Sequence, residues 1–203
     1  MQWDILPKNE VVENTAAAIR GKGPEVFIVE SKEEALKKIL ELIPAGAEVS
    51  NGSSTTLQQI GFIDYLKSGR HQWKNLHAEI LKEKDINKQT KLRRGAVAAD
   101  YFLGSVNAIA ATGELVACDA SGSRVSAYPF AAGKLILVAG AQKITPSLAD
   151  AITRIKEYVF PLENERAKKV YGAPSTMGKW VILDREISAG RTTLILVKDK
   201  LGF

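Results

Sequence analysis

Two apolar patterns share this chain. Unbroken runs such as "PEVFIVE" (24–30) and "KLILVAGAQKI" (134–144) read as buried strands. By contrast, "SKEEALKKILELI" (31–43) places Ala35, Ile39 and Leu42 on one helical face and opens with Ser31 and Glu34 at capping-box spacing. Before it, "NEVVENTAAAIRGKG" has helix formers stopped by glycines. After it come a turn and a very short strand in "PAGAEVSNG", then a second helical pattern, "TTLQQIGFIDYLKS", broken around Gly61. Helices and strands alternate through this first third, which predicts a mainly parallel sheet flanked by helices.

The middle reads differently. "DINKQTKLRRGAVAADYFLG" (85–104) predicts a long helix ending at Gly104. "SVNAIAATGELVACDASGS" (105–123) gives two apolar runs separated by Thr112-Gly113, the pattern of a hairpin. "RVSAYPFAAG" fits no single element. "TPSLADAITRIKEYVFPLENERAKKVYG" (145–172) reads as helical, with Thr145-Pro146 as its start and Pro161 as a break or kink. The end, "KWVILDREISAGRTTLILVKDKLGF", gives two strands joined by a loop. There is no repeat, linker or low-complexity segment, so residues 1–203 read as a single α/β domain with an antiparallel excursion.

Composition narrows the function classes. The chain is 45% hydrophobic and 25% charged, and no apolar run approaches the length of a membrane span. "MQWDILPKNE" is not a secretory leader, and the single cysteine, Cys118, excludes an intrachain disulfide and a cysteine-ligated iron–sulfur cluster. A cytoplasmic protein is the expectation, with no membrane partner. The net charge of +5 is spread over mixed-charge helix faces such as "SKEEALKKILE", and the densest basic stretch, "KLRRG", lacks interleaved aromatics. Nucleic acid is therefore not the expected partner.

Familiar motifs are absent. No G-x-G-x-x-G follows a strand, and "GAPSTMGKW" (172–180) has five residues between its glycines instead of the four of a phosphate loop. His71 and His77 lie six apart with no acidic partner in a ligand pattern, so no metal site is expected. No G-x-S-x-G elbow marks a serine triad. Cys118 sits in a strand-like run and reads as a buried thiol.

What survives is a set of glycine turns after strand-like runs: "SNGSSTT", "CDASGSR" and "VAGAQK". Open parallel sheets bind ligands beyond the carboxyl ends of their strands. Glycine admits close approach of a ligand to the backbone, and hydroxyls add donors. In the first turn Asn51, Gly52, Ser53, Ser54, Thr55 and Thr56 form a candidate cradle for a phosphate or carboxylate. The same residues also read as helix caps, since Thr55 with Gln58 and Thr56 with Gln59 have capping-box spacing. In the second turn Ser121, Gly122, Ser123 and Arg124 supply a cation beside hydroxyls, or a polar turn with a surface arginine. Glu114, after Thr112-Gly113, is a candidate catalytic carboxylate or a turn residue.

Four segments together, "NGSSTTLQQIGF", "ADYFLGSVNAIAATGELVACDASGSR", "GAQKITPSLADAITRI" and "FPLENERA", resemble the LUD, or lactate-utilisation, domain family, in its short single-domain branch without iron–sulfur cysteines. The resemblance runs from about residue 10 to the C-terminus. It implies a fold like that of sugar-phosphate isomerases, coenzyme A transferases and 5-formyltetrahydrofolate cyclo-ligase, with anionic ligands over strand-end loops. It leaves the cofactor unspecified. The chain departs from the family where many members read "ETGT", having Ala111-Thr112-Gly113-Glu114 instead. The expectation is a protein that binds a small anionic metabolite or nucleotide-like ligand at loops 50–56, 112–114 and 121–124. Two alternatives stand beside it. One is a non-catalytic subunit or assembly partner of a lactate-oxidising iron–sulfur complex. The other is a transferase or hydrolase of acyl thioesters that uses Glu114. Either is compatible with a homo-oligomer.

Overall fold

In the computed structural model, which describes residues 3–203, the predicted alternation becomes two sheets and their covering helices. Helix α1 (Asn9–Gly21) leads to β1 (Glu25–Val29), α2 (Lys32–Leu42) and β2 (Glu48–Asn51). Ser31 caps α2 by accepting from Glu34 N, while the Glu34 carboxylate accepts from Glu30 N, one residue before the cap. Helices α3 (Thr55–Gln59) and α4 (Phe62–Ser68) follow, separated at Gly61, whose φ of +80° suits a residue without Cβ. Then come β3 (Lys74–Asn75), α5 (Leu76–Lys82), α6 (Ile86–Ala96) and β4 (Tyr101–Gly104).

This last stretch corrects the expectation of one helix reaching Gly104. Helix α6 stops at Ala96, and "YFLG" is an interior strand of the main sheet. The physical reason is burial: Phe102 and Leu103 face opposite core clusters, which a strand between two packed layers allows.

The hairpin expected over 105–123 is present as β5 (Ala108–Ala110) and antiparallel β6 (Leu115–Asp119). Next come β7 (Lys134–Gly140), β8 (Ile144–Thr145), α7 (Leu148–Arg154), α8 (Phe160–Tyr171), β9 (Lys179–Leu183) and β10 (Thr192–Val197). The start of α7 is a second correction. Its cap is Ser147, which accepts from Asp150 N, whereas Thr145 belongs to β8 and its hydroxyl donates to Ile109 O. Pro161 does not end the helix. A π-helical turn over Ile155–Val159 joins α7 to α8, and Pro161 falls in the first turn of α8, where a missing N–H is tolerated.

The main sheet runs β1-β10-β7-β4-β2-β3 with every pairing parallel. The second runs β8-β5-β6-β9 and carries the antiparallel pairs. Alternate residues of the central strands feed opposite faces. Leu135, Leu137, Leu194 and Leu196 pack toward α1 and the second sheet, while Ile136, Val138, Ile195 and Val197 pack toward α2, α3 and α4. A third cluster sets Ala151 and Ile155 against Ala108 and Val116 on the outer face of the second sheet. Because the main sheet is parallel, the carboxyl ends of β2, β4, β7 and β10 share one edge. The 51–56 loop, Ser105, Lys143 and the 198–203 tail all emerge there.

Candidate functional site

A cleft of about 540 Å³ opens at that edge. Its walls come from the loops after β2, β4, β6 and β7, the inner faces of α5 and α6, the π-turn with α8, and the chain's last residues. The volume lies within the usual range for small-molecule sites.

The hydroxyl run is divided among different tasks. Ser54 is the cap of α3, accepting from Leu57 N at 3.2 Å. Thr56 is buried and faces inward, where its hydroxyl meets Leu201 O, Ser105 Oγ and Lys143 Nζ. Ser53 is exposed and Thr55 half-buried, and both line the cleft. Asn51 is buried in the cleft wall with its Oδ1 unpartnered, while Nδ2 donates to Gly52 O at 3.2 Å. A buried amide acceptor without a partner costs free energy that a ligand donor would recover, and a half-turn of the amide would present the donor side instead. Gly52 has a steric reason to be glycine: a Cβ there would lie 2.4 Å from Arg124 Cγ.

Arg124 therefore packs directly beneath the hydroxyl loop. Its guanidinium donates to Cys118 O at 2.7 Å, Ser105 O at 3.3 Å and Asn107 Oδ1 at 3.5 Å. Asp119 accepts from Arg124 N at 2.9 Å and lies 4.0 Å from Arg124 Nε. Arg124 thus clamps the ends of β4 and β6 while placing a cation in the cleft wall. Ser121 and Ser123 line the cleft and hydrogen-bond each other at 3.0 Å. Gly122 points away from it, against the Lys179 side chain, with φ +88°.

Glu114 lies elsewhere. It sits at the other end of the β5–β6 hairpin and is not part of the cleft wall. Asp119 lies five positions further along the strand, about 17 Å away. Its carboxylate accepts from Lys22 Nζ at 2.7 Å and from the Thr112 hydroxyl. Burial pushes its pKa up, but these hydrogen bonds outweigh that and hold it below the usual glutamate value. The structure brings loops 50–56 and 121–124 together and leaves 112–114 apart.

The side chain that the sequence reading passed over is Lys143. It is 3% exposed, yet it forms part of the cleft wall. Nζ makes contacts of 3.1 Å to Thr56 Oγ1, 3.1 Å to Ser105 Oγ and 3.0 Å to Val106 O, with no carboxylate among its partners. Burial, reinforced by the Arg154 and Arg124 guanidinia, holds its pKa well below the lysine range. A signal was present in the third glycine turn, where a lysine in "VAGAQKI" follows a wholly apolar strand and precedes an isoleucine.

The outer wall is cationic. Arg166 is held bidentate by Glu163 at 2.7 Å on both oxygens and lies 5.4 Å from the centre of the Tyr171 ring. Ser53 and Arg166 lower the pKa of the Tyr171 hydroxyl. Across the opening stand Arg93 and His77, whose pKa is lowered by burial and then by Arg93. Cys118 also faces the cleft, and burial pushes its thiol up to about 11. Deeper in the protein Arg154 is fully buried, donating to Asn107 O at 2.6 Å and Trp3 O at 3.3 Å with Nη2 unpartnered; burial lowers its pKa to about 10.

Among the described residues, no helix is long and apolar enough to cross a membrane. No curated protein matches the chain by sequence. In three dimensions the chain is similar to the crystal structure of a DUF162 family protein from Deinococcus radiodurans, at 15% identity and TM-score 0.53, covering 95% of this chain and 99% of that one. A second solved structure, eIF2B delta from Chaetomium thermophilum, matches at 11% identity and TM-score 0.37, over 70% of this chain and 55% of that one. The family model of the LUD domain matches residues 12–197, and the chain belongs to the LUD domain family.

Proposed function

We propose that this LUD-domain protein binds a small organic anion, bearing a carboxylate or phosphate, in the cleft at the carboxyl edge of the main sheet. One observation carries the reading. Separate strand ends deliver Arg124, Lys143 and the unpartnered Asn51 Oδ1 to one cavity whose rim adds Arg93 and Arg166. The carboxylates in that wall, Asp119 and Glu163, are already engaged by Arg124 and Arg166. The three arginines of the wall, Arg93, Arg124 and Arg166, outnumber these two carboxylates, so an anionic ligand gains from the excess positive charge, and a hydroxyl on that ligand can donate to Asn51 Oδ1. The hydroxyls of exposed Ser53 and half-buried Thr55 complete the set of donors. Small 2-hydroxy and 2-oxo acids, the class the lactate-utilisation resemblance implies, fit this chemistry. A thioester transfer through Glu114 does not, because that carboxylate lies outside the cleft and is bound to Lys22.

Calorimetric titration against lactate, pyruvate, sugar phosphates, acyl-CoAs, folates and nucleotides tests the reading. One class should bind the wild type, and Asn51→Leu should weaken it by about tenfold or more, equivalent to ~1.4 kcal/mol. If nothing in the panel binds, or Asn51→Leu binds as well as wild type, the reading is wrong.

A further inference from the structure

We propose that Lys143 is a nucleophilic amine that condenses with the carbonyl group of a small anionic ligand to form an imine at the floor of the cleft. The proposal rests on the anion-binding reading and adds a reaction to it.

Four features of the geometry converge. First, Lys143 is buried yet belongs to the cleft wall, so its side chain is shielded from bulk water and borders the ligand space. Second, all three hydrogen-bond partners are uncharged: two hydroxyls and one backbone carbonyl. A lysine kept for a structural ion pair would face a carboxylate, as Lys22 does.

Third, the protons balance without using the amine's lone pair. A neutral amine donates one N–H to Val106 O and the other to a hydroxyl. The Thr56 hydroxyl donates to Leu201 O, and the Ser105 hydroxyl has Thr56 Oγ1 and Val106 O within reach. No hydroxyl proton needs Nζ as its acceptor, so the lone pair is not held in a hydrogen bond; it faces one of the three oxygens, and that contact gives way as an electrophile approaches. Fourth, the surroundings favour the neutral form. Burial and two nearby guanidinia oppose protonation, the arrangement that activates a lysine as a nucleophile.

The step balances within the pair. The Nζ lone pair forms a bond to the carbonyl carbon, and the C=O π electrons move to oxygen. A proton passes from nitrogen to that oxygen, giving a carbinolamine. The second N–H proton and the hydroxyl then leave as water, and the nitrogen pair closes the C=N bond. No oxidant or further reactant is needed. The Arg124 cation in the same wall suits the ligand's carboxylate or phosphate. The substrate class is accordingly a 2-oxo acid or a phosphorylated aldehyde or ketone.

Borohydride reduction fixes such an imine as a secondary amine, which is read by peptide mapping in the mass spectrometer. The full chain is incubated near neutral pH with glyoxylate, pyruvate or glyceraldehyde 3-phosphate, reduced and digested. Lys143 should carry the adduct at least about tenfold more than the average of the other lysines, and Lys22→Met should label as wild type does. Labelling by the oxo acids but not by the phosphate compound identifies the ligand's anionic group as carboxylate; the reverse identifies phosphate. Lys143→Arg and Lys143→Met should lose the adduct. Because the map on wild type locates the adduct by itself, the proposal stays falsifiable if either variant fails to fold. Labelling spread evenly over surface lysines overturns the imine. Binding in the calorimeter without a Lys143 adduct overturns the imine and leaves anion binding standing. No binding at all removes both.

Discussion

The two ends of the β5–β6 hairpin each hold one lysine, and they are opposites. At the turn, Lys22 Nζ lies 2.7 Å from both Glu114 Oε1 and Asp184 Oδ1, and those hydrogen bonds, Asp184 first, raise its pKa. At the cleft end, Lys143 is buried among hydroxyls and a carbonyl, and its pKa is depressed. The side chain is the same; the counterion decides. A lysine with two carboxylates is a structural tie with its charge already neutralised. A lysine buried without any is costly to protonate, and such groups persist where the neutral amine is useful. The glycine turn that looked catalytic, Thr112-Gly113-Glu114, stands outside the cleft, while the less conspicuous turn after β7 places Lys143 in its wall.

The largest test of the contrast is the pH dependence of stability. The native pKa of Lys143 lies below its unfolded value, so between the two the unfolded chain binds more protons. Stability from this group therefore rises with pH, by up to about 1.4 kcal/mol per pH unit, until the ordinary value of 10.5 is reached. Comparing urea midpoints of wild type and Lys143→Met from neutral to alkaline pH isolates the effect, because other groups titrate alike in both. The wild type should gain on the variant as pH rises. A parallel pair of curves would mean that Lys143 is protonated in the native state, and the contrast with Lys22 would collapse.

Next in size is Gly140→Ala. An added Cβ would lie 2.5 Å from Asp199 O and 2.6 Å from Leu201 N, both backbone atoms. It would push away the tail whose Leu201 O accepts from Gln142 Nε2 and Thr56 Oγ1. A loss of about 1–3 kcal/mol is expected, measured by chemical denaturation. The Lys143 pH slope should flatten in the same variant, since the displaced tail would admit water to the amine. A destabilised variant with the slope intact would mean that the tail does not shield it.

How much of this was legible beforehand follows from range. Local signals worked: Ser31 capping α2, the break at Gly61, the Thr112-Gly113 hairpin and the apolar strand ending in Gly140 are all where patterning put them. Segments whose state is set by distant packing were misread. "YFLG" looked like the end of a helix because its four residues show no period of their own, and only the flanking strands β7 and β2 make it a strand. The hydroxyl run was seen as one object, whereas Ser54 caps α3 and Thr56 bonds across to Lys143, 87 residues away. No local pattern encodes that contact. Arg124 was read as a cation beside hydroxyls or a surface arginine of a polar turn; the structure puts it in the cleft wall with hydrogen bonds to Ser105, Asn107 and Cys118, partners no local pattern names.

A smaller effect is expected at the turn end. The Glu114 carboxylate is held below its usual pKa because the hydrogen bonds from Lys22 and Thr112 outweigh burial. Its stabilisation is therefore full above the ordinary glutamate value of 4.5 and is lost as pH falls through the lowered native value. Glu114→Gln should cost at most about 1 kcal/mol at neutral pH, since Lys22 keeps Asp184. That cost should vanish in acid, and calorimetric binding and Lys143 labelling should be unchanged. Loss of either would put the hairpin turn in the functional site and dissolve the distinction between its ends.

The smallest effect is a rate. Cys118 shares the cleft with Lys143, and burial raises its thiol pKa to about 11 against a weaker opposing pull from Arg124. At pH 8 only roughly one molecule in a thousand would carry the thiolate, so iodoacetamide should alkylate Cys118 roughly a hundredfold more slowly than a free thiol. The same shielding acts on both groups: what keeps the thiol protonated keeps the amine neutral, since each is the uncharged form. A bound anion should slow alkylation further by occupying the cleft. Alkylation at the free-thiol rate would show a well-hydrated cleft wall, and the burial that sets Lys143 apart from Lys22 would then have to be confined to the amine's immediate hydroxyl cage.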